Sequence, residues 1–180
     1  MKILAVQNRM GIGDTVIFLP FIKALSKKFN SPISILVKES SKAHQYLHQT
    51  NYIDKIIILE RDNKTNNRHS GFLGNFNLIK DIKKHNFDKI IIFNSSIRYH
   101  LISKLCGIPE IYQYPLFQKS KQHIIDAPKK FLKDKLDLIV NDDPEVQIDD
   151  KSILESIKEF QIDKNEMNIL LGIGGSGSTK

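Results

Sequence analysis

At 180 residues the chain is long enough for one α/β domain, or for one domain and part of another. Its 41% hydrophobic and 26% charged residues are ordinary for a chain that buries a core, and no apolar run reaches the length of a membrane span. The net charge of +7 favours an anionic partner such as a sugar phosphate, nucleotide or lipid head group, although a Lys-, Ile- and Asn-rich composition is also what AT-biased codon usage produces. A single cysteine, Cys106, excludes an internal disulfide and fits a cytoplasmic location. The N-terminus reads straight into a strand, not into a signal peptide.

Residues 2–7 form a short apolar run, followed at once by the glycine-rich turn Gly11-Ile12-Gly13-Asp14-Thr15. From Thr15 to Phe29 apolar residues recur at helical spacing, with Pro20 expected to kink the helix or mark a loose first turn. Gly11 and Gly13 would take backbone angles closed to other residues and let another molecule approach the main chain. Asp14, at the positive end of the helix, would stay ionised, and the plainest role for it is an N-cap.

Ile33–Val37 reads as a second strand, Ser40–Gln49 as a short helix, and Lys55–Leu59 as a third strand buried on both faces. Arg61–Gly74 reads as a polar surface loop, followed by helical spacing over Phe76–His85. Lys89–Phe93 is a fourth strand, Tyr99–Leu105 a helix closed by Gly107, and Ile111–Tyr114 a fifth strand. This alternation predicts a Rossmann-like, doubly wound parallel sheet of the α/β class. Helical spacing returns from Gln122 through Ile139, and an acidic stretch around Pro144 reads as a linker. Ser152–Phe160 reads as a helix and Met167–Ile173 as a new strand opening into Gly174-Gly175-Ser176-Gly177-Ser178-Thr179-Lys180. The division expected is a domain over 1–141, a linker and helix over 142–166, and the start of a second domain over 167–180. A chain stopping on a glycine-rich turn reads as cut.

Two nucleotide motifs fail on inspection. Gly11–Val16 begins as G-x-G-x-x-G, but Val16 stands where the third glycine belongs and only Glu39 offers a displaced carboxylate. Gly172–Lys180 has the composition of a P-loop in the wrong order, yet its amides, hydroxyls and ammonium could still hold a phosphate. His44 and His48 lie one helical turn apart without a third ligand nearby, so no metal is expected. His69 falls in the polar loop, His85 and His100 read as surface residues, and His123 as a capping or packing histidine. The basic residues are spread over several helices with no recognition helix, which argues against nucleic acid.

Taken together, the two glycine turns resemble those of glycosyltransferase family 9, the bacterial heptosyltransferases. The first match is an apolar strand, a small-residue turn ending in Gly13-Asp14, an early Pro20, and the tail Ala24-Leu25-Ser26-Lys27-Lys28-Phe29. The second is the strand and turn running from Ile173 to Lys180, with Ile173 in place of the family's proline. Asn8 stands where family members commonly carry a basic residue, with Arg9 one position later.

The resemblance implies a GT-B architecture, of which this chain would be the first domain, truncated at the start of the second. It implies inverting transfer of a sugar from a nucleotide-diphosphate donor, ADP-heptose in this family, to a lipopolysaccharide core acceptor. By it Asp14 would be the general base, with Arg9, Gly11 and Gly13 in the acceptor-side loop. Gly174, Gly175, Ser176 and Lys180 would hold the donor diphosphate, with no metal and no further cofactor. A lipid-linked acceptor would place the protein at the cytoplasmic face of the inner membrane, in peripheral contact with anionic lipid. The 180 residues alone should turn over little or not at all. The alternative is a non-catalytic sugar-phosphate or nucleotide-binding domain that works with a partner chain.

Overall fold

The computed structural model describes residues 1–9, 11–61, 67–116, 123–163 and 165–169. The chain divides into two units, Met1–Gln147 and Ile148–Lys180.

The first unit is built on β1 (Ile3–Val6), β2 (Ile33–Lys38), β3 (Ile53–Leu59), β4 (Lys89–Ile92) and β5 (Glu110–Gln113). All neighbours pair in parallel, in the order β3-β2-β1-β4-β5. Parallel neighbours need crossovers, and these are α1 (Ile12–Phe29), α2 (Ala43–Tyr46), α3 (Gly71–Lys83) and α4 (Ile97–Leu105), with α5 (Asp126–Leu136) following β5. Strand side chains alternate between faces, so each strand feeds two cores. Ile3, Ala5, Ile35, Val37 and Ile91 pack with Phe18, Phe21, Leu25, Phe131 and Leu132 of α1 and α5. Leu4, Val6, Leu36, Ile90 and Ile92 pack with Leu78, Ile82, Tyr99 and Ile102 of α3 and α4. Helices thus cover both faces, and the sheet is the Rossmann-like, doubly wound one expected.

Several local readings are corrected. The first helix starts at Ile12, inside the glycine turn, and not at Thr15; it runs as one element through the buried Pro20 to an Asn30 cap in the left-handed region. Ser40–Gln49 is not one helix but a 3-10 turn over Glu39–Ser41 and the single turn of α2. β3 is an edge strand with exposed and half-buried positions, so it is not sealed on both faces. The third helix begins at Gly71, five residues before Phe76. The helix of α5 is shorter than its spacing suggests, and Ile139 lies beyond it and is exposed.

The acidic stretch is held along the first unit. Glu145 pairs with Lys23 at 3.2 Å and Asp142 with Lys27 at 3.6 Å, while Gln147 Oε1 accepts the Asn51 N–H at 2.8 Å. In the second unit α6 (Asp150–Glu159) is capped by Asp149, whose carboxylate accepts the Ser152 N–H at 2.6 Å. Residues 167–169 carry no strand, and the remainder of the expected last strand lies outside the described residues.

Candidate functional site

The order β3-β2-β1-β4-β5 reverses direction between β1 and β4. In open parallel sheets the loops leaving the carboxyl ends of two such strands go to opposite faces, and the gap between them is where ligands bind. Here α1 leaves β1 toward one core and α4 leaves β4 toward the other. The β1–α1 loop holds Gln7, Asn8, Arg9 and Gly11, with Gly13 in the first turn of α1, and the β4–α4 loop holds Asn94, Ser95 and Ser96. Asn94 Nδ2 reaches Asn8 Oδ1 at 3.4 Å, joining the two rims.

Asp14 stands at this crevice. It is not the N-cap: Gly11 occupies that position with extended backbone, and Asp14 sits three residues on, in the first helical turn. Its Oδ2 accepts the Gly11 N–H at 3.1 Å, which is the returning half of a capping box. The Thr15 hydroxyl donates to the Gly11 carbonyl at 3.2 Å and tightens the same turn. Asp14 is half-buried, and among the described residues its Oδ1 receives no protein donor. One oxygen is therefore fixed by the turn while the other keeps its capacity to accept a hydrogen bond.

Gln7 is the residue that the sequence reading missed. It is buried, its Oε1 accepts the Arg9 N–H at 3.1 Å, and its Nε2 donates to the Asp14 carbonyl at 3.3 Å. A glutamine directly after a buried strand thus ties both limbs of the loop together. Arg9 is exposed beside it. Burial pushes the Tyr114 phenol above its usual range, and the Arg9 charge opposes that shift, which places the guanidinium within electrostatic reach of the end of β5. A cavity of about 110 Å³ opens there between Tyr114, Phe131 and Lys130.

The two glycines do not take the unusual backbone angles expected of them. Neither has positive φ. A Cβ on Gly11 would meet Asp14 Oδ2 at 3.3 Å, and a Cβ on Gly13 would meet nothing within 4 Å. Gly11 therefore gives room to the carboxylate, and Gly13 leaves the front of the helix end bare.

The histidines divide. His69 is not in a surface loop: it is 1% exposed, its Nδ1 accepts the Glu60 N–H at 3.0 Å, and its Nε2 lies 3.1 Å from Asp81 Oδ2. Those contacts make the Nε2–H tautomer the consistent one and leave no ring nitrogen for catalysis. His85 and His100 are half-buried, against Phe87 and Gln113 respectively. His123 Nδ1 accepts the Ile125 N–H at 3.4 Å, a capping contact. Among the described residues no group of three His, Cys, Asp or Glu side chains is placed to hold a metal. None of their helices is long and apolar enough to cross a membrane. Gly174, Gly175, Ser176 and Lys180 lie outside the described residues.

No protein-family model and no curated protein matches the chain. Solved structures do. A glycosyl transferase family 9 protein from Veillonella parvula DSM 2008 matches with a TM-score of 0.71 at 18% identity, over 99% of this chain and 55% of that one. The ADP-heptose LPS heptosyltransferase II of E. coli matches with a TM-score of 0.62 at 13% identity, over 91% of this chain and 52% of that one. The chain spans about half the length of each. At this level of identity what is common is the fold, and the chain has the fold of about half of these two transferases.

Proposed function

We propose that the chain is the acceptor-side part of an inverting glycosyltransferase of family 9. The observation that carries the reading is Asp14: a half-buried carboxylate in the first turn of the helix that follows β1, with one oxygen held by a backbone amide and the other without a protein donor among the described residues. The two family turns in the sequence and the shared fold support it.

In this reading an acceptor hydroxyl sits against Asp14 Oδ1. Its oxygen attacks the anomeric carbon of the donor as the bond from that carbon to the diphosphate oxygen breaks, inverting the centre. The hydroxyl proton passes to Asp14, and the nucleoside diphosphate leaves with the bonding electron pair. The Gly11 amide keeps the carboxylate aimed, and bare Gly13 admits the acceptor. Arg9 stands by for an anionic group on the acceptor. The donor is ADP-heptose and the acceptor a lipopolysaccharide core saccharide, as in the resemblance. Gly174, Gly175, Ser176 and Lys180 take the diphosphate, where backbone amides and an ammonium stabilise the developing charge.

The test is heptosyl transfer to a core acceptor by the protein with its donor domain present, comparing wild type with Asp14→Asn. Loss of a general base lowers kcat by about 10²- to 10⁴-fold. Wild-type turnover in the variant removes the assigned role.

A further inference from the structure

We propose that Gln113, locked in place by His100, is a positioning residue of the acceptor site: it fixes the β4–α4 rim of the crevice and, through Asn94, the β1–α1 rim facing it. The inference rests on the transferase reading for what the crevice binds, and on hydrogen bonding alone for how the rims are held.

β4 ends at Ile92, and the chain leaves the sheet with carbonyls that no longer have a strand to pair with. Backbone carbonyls sheltered from water need a partner. The strand register sets Gln113, the last residue of β5, beside Ile92. Side chains alternate along a strand, so Gln113 lies on the same face as Ile111, the face that α4 covers. From there its Nε2 donates to the Asn94 carbonyl at 3.1 Å and to the Ser96 carbonyl at 2.9 Å. A side chain of the edge strand thus continues the pairing past the point where β4 stops.

The Gln113 amide has one usable orientation. Turned over, its oxygen would face two carbonyl oxygens and both bonds would be lost. With Nε2 committed, Oε1 faces His100 Nδ1 at 3.2 Å, and an amide oxygen can only accept. His100 Nδ1 must therefore carry a proton, and neutral His100 is the Nδ1–H tautomer. Both N–H groups and the oxygen of the Gln113 side chain are then used, in a half-buried setting that partly shelters them.

Asn94 carries the constraint across the crevice. Its Oδ1 accepts the Ser96 N–H at 2.9 Å, and its Nδ2 reaches Asn8 Oδ1 at 3.4 Å. From His100 to Asn8 the contacts join α4, β5 and both rim loops. Asp14 takes its own aim from the Gly11 amide, outside this chain of contacts. Loss of Gln113 should accordingly loosen the hold on the acceptor and spare the carboxylate.

Two experiments test this, one without substrate and one with it. In the 180-residue chain at about pH 9, where imidazole is neutral, nitrogen-15 correlation spectra of the ring should show His100 protonated at Nδ1 and bare at Nε2. The Ser96 amide should exchange about tenfold faster in Gln113→Met. In the protein with its donor domain present, Gln113→Met and His100→Leu should raise the acceptor KM about tenfold and lower kcat by at most about threefold. His100→Asn, whose amide N–H can replace the Nδ1–H, should bring KM back to within about threefold of wild type. The ring measurement needs no variant, so a variant that failed to fold would not remove the test. The proposal is overturned by a proton on Nε2, by unchanged Ser96 exchange, or by a wild-type acceptor KM in Gln113→Met. A fall in kcat at constant KM, or His100→Asn as impaired as His100→Leu, overturns it as well. No transfer by the wild type, with the ring and exchange results as expected, would overturn the transferase reading and the acceptor role together, and leave a clamp that only shapes the crevice.

Discussion

Gly74→Ala is expected to be severely destabilising, although alanine is the better helix former. Gly74 lies in the first turns of α3, against the chain that enters the helix. A Cβ built there would lie 2.3 Å from the His69 carbonyl carbon, 2.7 Å from its oxygen and 2.9 Å from its Cα. These are backbone atoms, and His69 is held in place at four points. Its N–H donates to the Glu60 carbonyl at 2.9 Å and its Nδ1 accepts the Glu60 N–H at 3.0 Å. Its Nε2 meets Asp81 at 3.1 Å, and its carbonyl accepts from Arg98 Nη2 at 2.6 Å. Relief requires either a shift of α3 off the sheet or rupture of that clamp.

Helix propensity offers about 1 kcal/mol in favour of alanine. Overpacking costs about 1–3 kcal/mol, and each hydrogen bond lost adds about 1 kcal/mol. With two bonds broken, the net expectation is a loss of about 3 kcal/mol. At a urea m-value of about 2 kcal/mol/M, the midpoint falls by about 1.5 M. Urea unfolding followed by circular dichroism measures it. A midpoint equal to or above wild type would refute the packing described around His69.

Gly13→Ala should behave in the opposite way. The added methyl meets open space, so stability should rise by up to about 1 kcal/mol in a melt; on the proposed transferase reading, in which the acceptor passes over Gly13, transfer activity should fall at the same time. Asp81 supplies a pH dependence. The Arg68 guanidinium beside it, with help from His69 and Lys84, holds its carboxyl at about 2, below the ordinary 3.8. A depressed carboxylate contributes stability above its unfolded pKa and loses it as pH falls through the folded one. About 2 kcal/mol should therefore be present at pH 5 and lost between roughly pH 4 and pH 2. Urea midpoints of Asp81→Asn should lack that dependence, and equal slopes in both proteins would count against it. Burial pushes the Cys106 thiol up to about 11, so disulfide reagents at pH 7.5 should modify it slowly in the folded chain and fast in urea; equal rates would contradict its placement under Ile79.

The central strands and the first helix were legible because burial on both faces leaves continuous apolar runs and an amphipathic helix leaves a repeat. Ile35–Val37 and Ile90–Ile92 are such runs. The exposure of β3 was hidden, since its run looks the same while its edge position follows from strand order, which no local pattern records. His69 was misplaced because its burial depends on Asp81, twelve residues on, across a turn of polar residues. At the site, the glycine turn and Asp14 were visible, but the capping geometry was not. A capping box is read from Ser or Thr three residues before the acid, and here Gly11 stands there with only its amide to offer. Gln7 gave no signal beyond being polar at the end of a buried strand.

The most direct measurement maps acceptor binding on the 180-residue chain by backbone amide NMR, titrating a soluble lipopolysaccharide inner-core saccharide. The account predicts shift changes concentrated at Gly11–Thr15 and Asn94–Ser96, on the two rims of the β1/β4 crevice, and their loss in Gly13→Ala. Changes confined to the α5 cavity around Lys130 and Phe131, with the Asp14 turn unmoved, would contradict it.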